Sequence, residues 1–237
     1  MQVKKENIIL SVIVPCFNEI STLEEVIDNI LKSPVNPKEI IIVDDFSTDG
    51  SREYLKILKN KKIRTIFHKK NLGKGAALAS GINLAKGDIV IIQDADLEYD
   101  PVDYKKLLKL ICLGHKVVYG SRVLGKNRYL LTNFSSFMRI FYNHVLTILS
   151  NILNNQNLSD AHTCYKMFKS NVFKNIKLKE NDFSFCPEIT TKIGLKKIEI
   201  IEVPIKYSGR TYQEGKKITY LDGFKAIKSL FKYRFFY

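Results

Sequence analysis

The sequence has no C-x-x-C pair among its four cysteines, no internal repeat, no Ser/Gly-rich linker and no low-complexity tract. Cys16, Cys112, Cys164 and Cys186 are too scattered for a disulfide framework and read as reduced thiols of a reducing compartment. His162, Cys164 and Cys186 lack a recognisable zinc-ligand spacing. Without linker or repeat, the chain is expected to be one continuous domain, with residues 1–125 and 126–237 as its two halves. Long hydrophobic runs are missing too. No stretch reaches the roughly 18–20 apolar residues that a spanning helix needs. The best candidate, 134–153, is interrupted by Arg139, Asn143 and His144. Residues 2–7, polar apart from Val3, and the short apolar run after them do not form a signal-peptide pattern. The expectation is a cytoplasmic protein, at most peripheral at the inner face of a membrane.

What is present points to a folded, basic domain. Hydrophobic residues make up 45% of 237 positions, enough to build a substantial core, which excludes a disordered chain. The formal net charge is +14. Such an excess favours a polyanionic partner: nucleic acid, an anionic membrane face or a phosphorylated substrate. Lysines scattered along the chain also fit a plainly solvated surface.

The first half alternates strand and helix signals. Residues 8–14, 39–43, 63–67, 88–92 and 116–119 are short apolar, β-branched runs. Between them, 21–31 reads as a helix with Ser21 as N-cap and Glu24 at the capping-box position. Residues 51–58 and 73–85 read as two more helices, and Asp100 as the cap of another starting at Pro101. Apolar strands alternating with helices imply a mostly parallel sheet covered on both faces. In such sheets ligands bind beyond the carboxyl ends of the strands, so 15–19, 44–50, 93–98 and 120–122 are the candidate site loops. In the second half, 130–153 reads as one long helix, 165–169 and 197–203 as strands, and 224–236 as a short helix mixing aromatics with Lys and Arg. The long helix and the aromatic tail are candidates for peripheral membrane contact; core packing and a frayed terminus are the plainer alternatives.

The most informative segment is the apolar run into Gln93-Asp94-Ala95-Asp96-Leu97-Glu98. In an extended backbone, Asp94, Asp96 and Glu98 would point to one side and converge. Three close carboxylates repel one another unless a cation sits between them. Oxygen ligands suit Mg²⁺ or Mn²⁺, and Mg²⁺ is typically completed by substrate phosphates. Spacing alone equally allows a solvated acidic loop.

The neighbouring motifs decide between them. Val12-Ile13-Val14-Pro15-Cys16-Phe17-Asn18-Glu19, Val43-Asp44-Asp45-Phe46-Ser47-Thr48-Asp49-Gly50, Asn71-Leu72-Gly73-Lys74-Gly75, Asp94-Ala95-Asp96 and Gly120-Ser121-Arg122 follow in this order, each at an expected strand end or helix start. The set resembles glycosyltransferase family 2. Asp160-Ala161-His162-Thr163-Cys164-Tyr165-Lys166 and Ile201-Glu202-Val203-Pro204-Ile205, followed by Arg210 and Gly215-Lys216, resemble its polyprenyl-phosphate branch, the dolichyl-phosphate mannose synthase type. The likeness runs over about residues 8–230.

This resemblance implies an α/β chain of the GT-A (nucleotide-diphospho-sugar transferase) fold. It implies an inverting transferase that moves a hexose from a GDP-mannose or UDP-glucose type donor to an acceptor, with a polyprenyl phosphate first and a saccharide hydroxyl in surface polysaccharide synthesis second. Pro15, Phe17 and Glu19 would frame the base and ribose, Asp45 would contact the nucleobase with Lys74 nearby, and Arg122, Arg210 and Lys216 would hold phosphates. Asp94, Ala95 and Asp96 would line the diphosphate, with Asp94, Asp96 and Glu98 on the metal. Asp94, Asp96 and Arg122 would be catalytic. Arg122, Arg128 and Arg139 surround the start of the long helix, as an anionic acceptor requires. A hydroxyl acceptor would need a base, with Asp182 and Glu188 as candidates. The sequence has Glu98 where the dolichyl-phosphate enzymes often have Gln, Cys164 in place of the usual Gly, and none of the transmembrane helices of some relatives. A sugar nucleotidyltransferase would have a Gly-rich, Arg-containing loop in place of Pro15–Glu19. A basic nucleic-acid binder would leave Asp94-Ala95-Asp96 unexplained, so no nucleic-acid partner is expected.

Overall fold

The computed structural model describes residues 8–36, 38–124, 134–210 and 220–237. Among them lie seven strands: β1 (Leu10–Cys16), β2 (Lys38–Asp44), β3 (Ile63–Phe67), β4 (Ile89–Ile92), β5 (Val117–Ser121), β6 (Lys166–Lys169) and β7 (Ile200–Pro204). They form one sheet in the order β3-β2-β1-β4-β6-β5-β7. Every neighbouring pair is parallel except those of β6, which runs antiparallel to both β4 and β5.

The strands are apolar on both sides because both sheet faces are covered. Successive side chains leave a strand in opposite directions. Thus Leu10, Val12, Val14, Ile40, Ile42, Ile89 and Ile91 enter one core, while Ile13, Ile41, Val43, Val90 and Ile92 enter the other. Each buried Ile or Val contributes roughly 1.5–3 kcal/mol.

The helices are α1 (Ile20–Lys32), α2 (Ser51–Ile57), α3 (Lys74–Leu84), α4 (Tyr104–Cys112), α5 (Phe134–Asn154), α6 (Ser170–Lys174), α7 (Phe185–Leu195) and α8 (Tyr220–Phe235). α1, α2 and α4 supply the first core with Leu23, Val26, Ile30, Leu55, Leu107 and Ile111. α3, α6 and α7 supply the second with Ala77, Leu78, Phe173, Phe185 and Ile189. α5 and α8 lie outside, packed on α7 and on each other. Among the described residues no helix is long and apolar enough to cross a membrane.

The expected alternation is present, with shifted ends and added elements. α1 starts at Ile20, so Ser21 lies inside it and the N-cap is Glu19. The cap comes from elsewhere in the chain: the Ile20 amide donates to the Asp49 carboxylate at 2.9 Å. Asp100 does cap the turn at Pro101, accepting from the Val102 amide at 2.9 Å. The C-terminal helix begins at Tyr220 rather than 224. α6 and α7 have no counterpart in the sequence reading.

Candidate active site

The candidate residues meet beyond the carboxyl ends of β1, β2, β4 and β5. Asp94 and Asp96 follow β4, and Glu19 follows β1. Arg210 reaches in from the segment after β7. It donates to both oxygens of Glu19, at 2.9 and 3.1 Å, and to Asp96 at 3.1 Å. The Lys74 ammonium, at the first residue of α3, pairs with Asp94 at 2.6 Å and donates to the Cys164 thiol at 3.2 Å. The Ala95 carbonyl accepts from the Thr22 hydroxyl at 2.6 Å, which ties the acidic loop to α1. Pro15 pairs in register with Val43 at the end of β1, and Phe17 follows it, half-buried.

The expected zigzag of the three acids does not form. The strand stops at Ile92, and Leu97 takes a left-handed conformation (φ 58) that turns the chain between Asp96 and Glu98. Glu98 therefore points to its own partners, accepting from the Tyr207 hydroxyl at 2.8 Å and the Arg210 amide at 2.7 Å. Among the described residues no three His, Cys, Asp or Glu side chains already stand around one point as metal ligands.

The charge balance nevertheless suits a cation. Among the described residues, Lys74 and Arg210 are the cations paired with Glu19, Asp94 and Asp96. Burial, then the charges of Asp94 and Glu98, pushes the Asp96 carboxyl up to about 7, although Lys74 and Arg210 pull the other way. Lys74 is held well above the usual lysine range: burial opposes its charge, and Asp94 outweighs it. A surplus of hard oxygen donors fits Mg²⁺ or Mn²⁺ held by two carboxylates, with diphosphate oxygens completing the shell.

Two other expected residues have structural employment. Asp45 lies against the loop that leads into Lys74. Its carboxylate accepts from the amides of Leu72 (2.8 Å) and Gly73 (2.7 Å) and contacts His68 Nδ1 at 2.7 Å, so it fixes the loop before α3. Arg122 is only 9% exposed. Its Nε and Nη2 donate to Asp160 at 2.7 and 2.8 Å, and its guanidinium lies 5.1 Å from the centre of the Tyr207 ring. The guanidinium is thus bound to a carboxylate, where a phosphate had been expected. Arg128, Lys216 and the side chain of Arg139 lie outside the described residues.

Gly73 and Gly75 are explained by packing. The amides of Gly75 and Ala76, at the start of α3, donate to the Asn181 carbonyl at 2.7 and 3.2 Å. Gly73 has φ +95, and a Cβ on Gly75 would collide with the Glu180 carbonyl oxygen. The first amides of α3 are thus satisfied by the 180–182 segment. Gly75→Ala is expected to destabilise the fold by about 1–3 kcal/mol, read from urea unfolding; an unchanged midpoint would show that the segment yields freely.

The family profile for Glycosyl transferase family 2 matches residues 11–177. The chain belongs to this family. It is 31% identical to the uncharacterized protein MJ1222 of Methanocaldococcus jannaschii, over 95% of this chain and 92% of that protein. It is 28% identical to the dolichol-phosphate mannosyltransferase of Pyrococcus furiosus, over 87% of this chain and 58% of that one, so it spans little more than half of that relative. Among solved structures, glucosyl-3-phosphoglycerate synthase of Mycobacterium tuberculosis, in complex with Mn²⁺, UDP and glucosyl-3-phosphoglycerate, superposes with a TM-score of 0.66 at 19% identity, over 96% of this chain and 80% of that chain. The protein is therefore a glycosyltransferase, and its fold is GT-A.

The candidate site also rests on residues that the motifs did not single out for it. Gln93, fully buried, accepts through Oε1 from the hydroxyls of Tyr104 (2.7 Å) and Tyr165 (2.5 Å) and donates through Nε2 to the Asp94 carbonyl at 2.9 Å. It sets the base of the acidic loop. Glu202 accepts from the amides of Ser159 (2.7 Å) and Asp160 (3.0 Å), which places Asp160 for Arg122. The one available signal was an amide side chain directly before two acids at the end of an apolar strand.

Proposed function

We propose that this transferase moves a hexose from a nucleotide-diphospho-sugar to a polyprenyl phosphate, with inversion at the anomeric carbon, at the surface of a membrane. The acceptor reading rests on the two candidate bases. Glu188 is fully buried and accepts from Lys192 Nζ (2.6 Å) and from the amides of Lys179 (2.7 Å) and Glu180 (2.8 Å). Asp182 accepts from the Ser184 amide at 2.9 Å and from Lys225 at 3.1 Å; burial raises its carboxyl, but these bonds prevail and hold it below the usual range. Neither is suited to deprotonate a sugar hydroxyl. A phosphate acceptor is already an anion and needs position more than a base. The dolichol-phosphate mannosyltransferase of Pyrococcus furiosus supports the same class of acceptor.

In this reading Asp94 and Asp96 hold Mg²⁺ or Mn²⁺, and Glu98 keeps Tyr207 and the Arg210 amide in place beside them. The ion, when bound, offsets the charge of the departing nucleoside diphosphate. Lys74 supplies a second positive charge, exchanging part of its pairing with Asp94 for the diphosphate. Arg210 balances Glu19 and Asp96. Pro15, Phe17 and Glu19 border the base and ribose, on a wall that Asp45 supports through the 68–73 loop. One displacement on the face opposite the leaving group gives inversion.

A ligand that binds the native state raises Tm. Thermal unfolding with UDP, GDP, UDP-glucose and GDP-mannose, each with Mn²⁺ or with EDTA, is expected to show a metal-dependent rise of about 5 °C or more for one base, equivalent to roughly 1–3 kcal/mol. The rise is expected to vanish in Asp96→Asn. No rise with any nucleotide at millimolar concentration would remove the donor site.

A further inference from the structure

Two thiols stand between two lysines at the edge of the site, and the proposed transfer uses neither thiol. Cys164 lies in the segment that leads into β6, half-buried, and Cys186 is buried in the first turn of α7. The Cys186 sulfur is 3.9 Å from the Thr163 carbonyl oxygen, on the peptide bond that leads into Cys164, and the two thiols hydrogen-bond each other. Lys74 donates to the Cys164 sulfur at 3.2 Å. Lys166, fully buried, donates to the same Thr163 carbonyl at 2.5 Å. Cations beside a thiol favour the thiolate, which is the form that reacts. The bond from Cys164, then Lys166 and Lys74, draws the Cys186 thiol down to about 6 against its burial. The same bond, with burial, pushes the Cys164 thiol up. Sulfurs already in contact can close a disulfide with little movement of the backbone.

We propose that Cys164 and Cys186 are a modification site for hydrogen peroxide, which closes them reversibly into a disulfide and so disables Lys74. In the first step the thiolate of the pair attacks one oxygen of the peroxide. The O–O bond breaks, hydroxide leaves, and the sulfur becomes a sulfenic acid. The second thiol then attacks that sulfur. The S–S bond forms, and the sulfenic oxygen leaves as water with the thiol proton. The hydroxide takes up the proton released when the first thiol ionised. The two thiols lose two electrons and two protons, and the peroxide becomes two waters. A dithiol or glutathione reverses the bond by thiol–disulfide exchange. Transient disulfides of this kind are the ones found where thiols are otherwise kept reduced.

The bond is felt at Lys74. In the thiol form its ammonium is shared between Asp94 at 2.6 Å and Cys164 at 3.2 Å. It also lies 5.6 and 5.9 Å from the ring centres of Phe183 and Phe185, where α7 begins. A disulfide turns the Cys164 sulfur toward Cys186 and removes the negative charge that the sulfur shares with Lys74. The ammonium is then left to Asp94, the carboxylate that the divalent ion needs. This effect rests on the donor site proposed above; the disulfide itself does not.

The test uses the full chain with Cys112→Ser, which removes an exposed thiol able to cross-link copies. It is treated with a small excess of hydrogen peroxide, alkylated while unfolded and mapped by peptide mass. The expected product is a single cross-link between Cys164 and Cys186, with the thiol content lower by two, Cys16 still alkylated, and recovery of both thiols in dithiothreitol. Peroxide added in urea should give mixed pairings, because the selectivity comes from the fold. Thermal unfolding then reads the effect on the site. Oxidation is expected to weaken the apparent affinity for nucleotide with Mn²⁺ about tenfold, the worth of one charge-assisted hydrogen bond, and reduction followed by desalting to restore it. An unchanged thiol count, sulfinic acids on separate cysteines, or cross-links through Cys16 in the folded chain would overturn the pair. Equal nucleotide stabilisation of the oxidised and reduced forms would overturn its effect on Lys74. Nucleotide stabilisation missing from the reduced form would instead remove the donor site and that effect together, with the mapped cross-link still deciding the pair.

Discussion

Asp94→Asn is expected to lower kcat/KM by about three orders of magnitude, roughly 4 kcal/mol of transition-state stabilisation. Asp94 is the acid nearest the end of β4, and its backbone is fixed from behind by Gln93 through the Asp94 carbonyl. Its carboxylate is the partner of Lys74 at 2.6 Å. Asn keeps the shape and one acceptor oxygen but removes the charge. Two consequences should appear together. The negative site that we propose holds the divalent ion weakens, and the buried Lys74 ammonium loses the charge that offsets its burial. The fall should lie mostly in kcat, because charge develops on the leaving diphosphate during the reaction. The assay uses whichever nucleotide sugar raises Tm, with free nucleotide release followed at saturating donor. A variant that keeps more than about a tenth of the parent turnover, a deficit below roughly 1.4 kcal/mol, would remove Asp94 from the reaction.

Asp160→Ala is the largest expected loss of stability. Asp160 is 2% exposed and accepts three bonds from Arg122: from the amide at 3.0 Å, from Nε at 2.7 Å and from Nη2 at 2.8 Å. Arginine does not shed its proton in proteins, so the variant leaves a buried guanidinium without its carboxylate. Such a loss costs about 3–5 kcal/mol, or a Tm fall near 10 °C for a chain of this size. Adding Arg122→Met should return much of it, since the cost lies in the unpaired charge. The pH dependence has a definite sign. Burial alone would raise the Asp160 carboxyl, but the charge and hydrogen bonds of Arg122 prevail and hold it below the usual range. Its contribution is therefore complete above the unfolded carboxylate value of about 3.9 and is lost as pH falls through the folded value. The gap between parent and variant should be constant near neutrality and close in acid. A gap that widens in acid would contradict this pairing.

The sheet and the meeting of the candidate loops at its strand ends were readable because β1, β2 and β4 have apolar centres and each ends in a polar loop. Burial on both faces leaves that signature and little else. α7 was unreadable for a related reason. Its residues Phe185 to Ile193 are all buried, so no polar stripe marks a helical period. Glu188, Thr190, Thr191 and Lys192 then look like loop residues, although Glu188 and Lys192 satisfy each other at 2.6 Å. The acid triplet was seen as chemistry but misjudged as geometry. Alternation holds only while a strand lasts, and a left-handed residue such as Leu97 cannot be foreseen from a bulky side chain. Arg122 looked like a phosphate ligand because its partner, Asp160, lies far away in sequence and reaches it only through the fold.

The antiparallel strand β6 sits between β4 and β5, although it is synthesised after both. During translation, β4 and β5 leave the ribosome with no edge to share. The strand that joins them emerges some 45 residues after β5, a delay of about 2–9 s at ordinary rates of synthesis. Throughout that interval the apolar edge of β4 is open to mispairing, which makes this the stage at which a chaperone has most to protect. Tyr165, which with Tyr104 bonds Gln93 behind Asp94, and Asp160, which secures Arg122, arrive with β6. The acidic loop is thus made early in the life of the chain and set late.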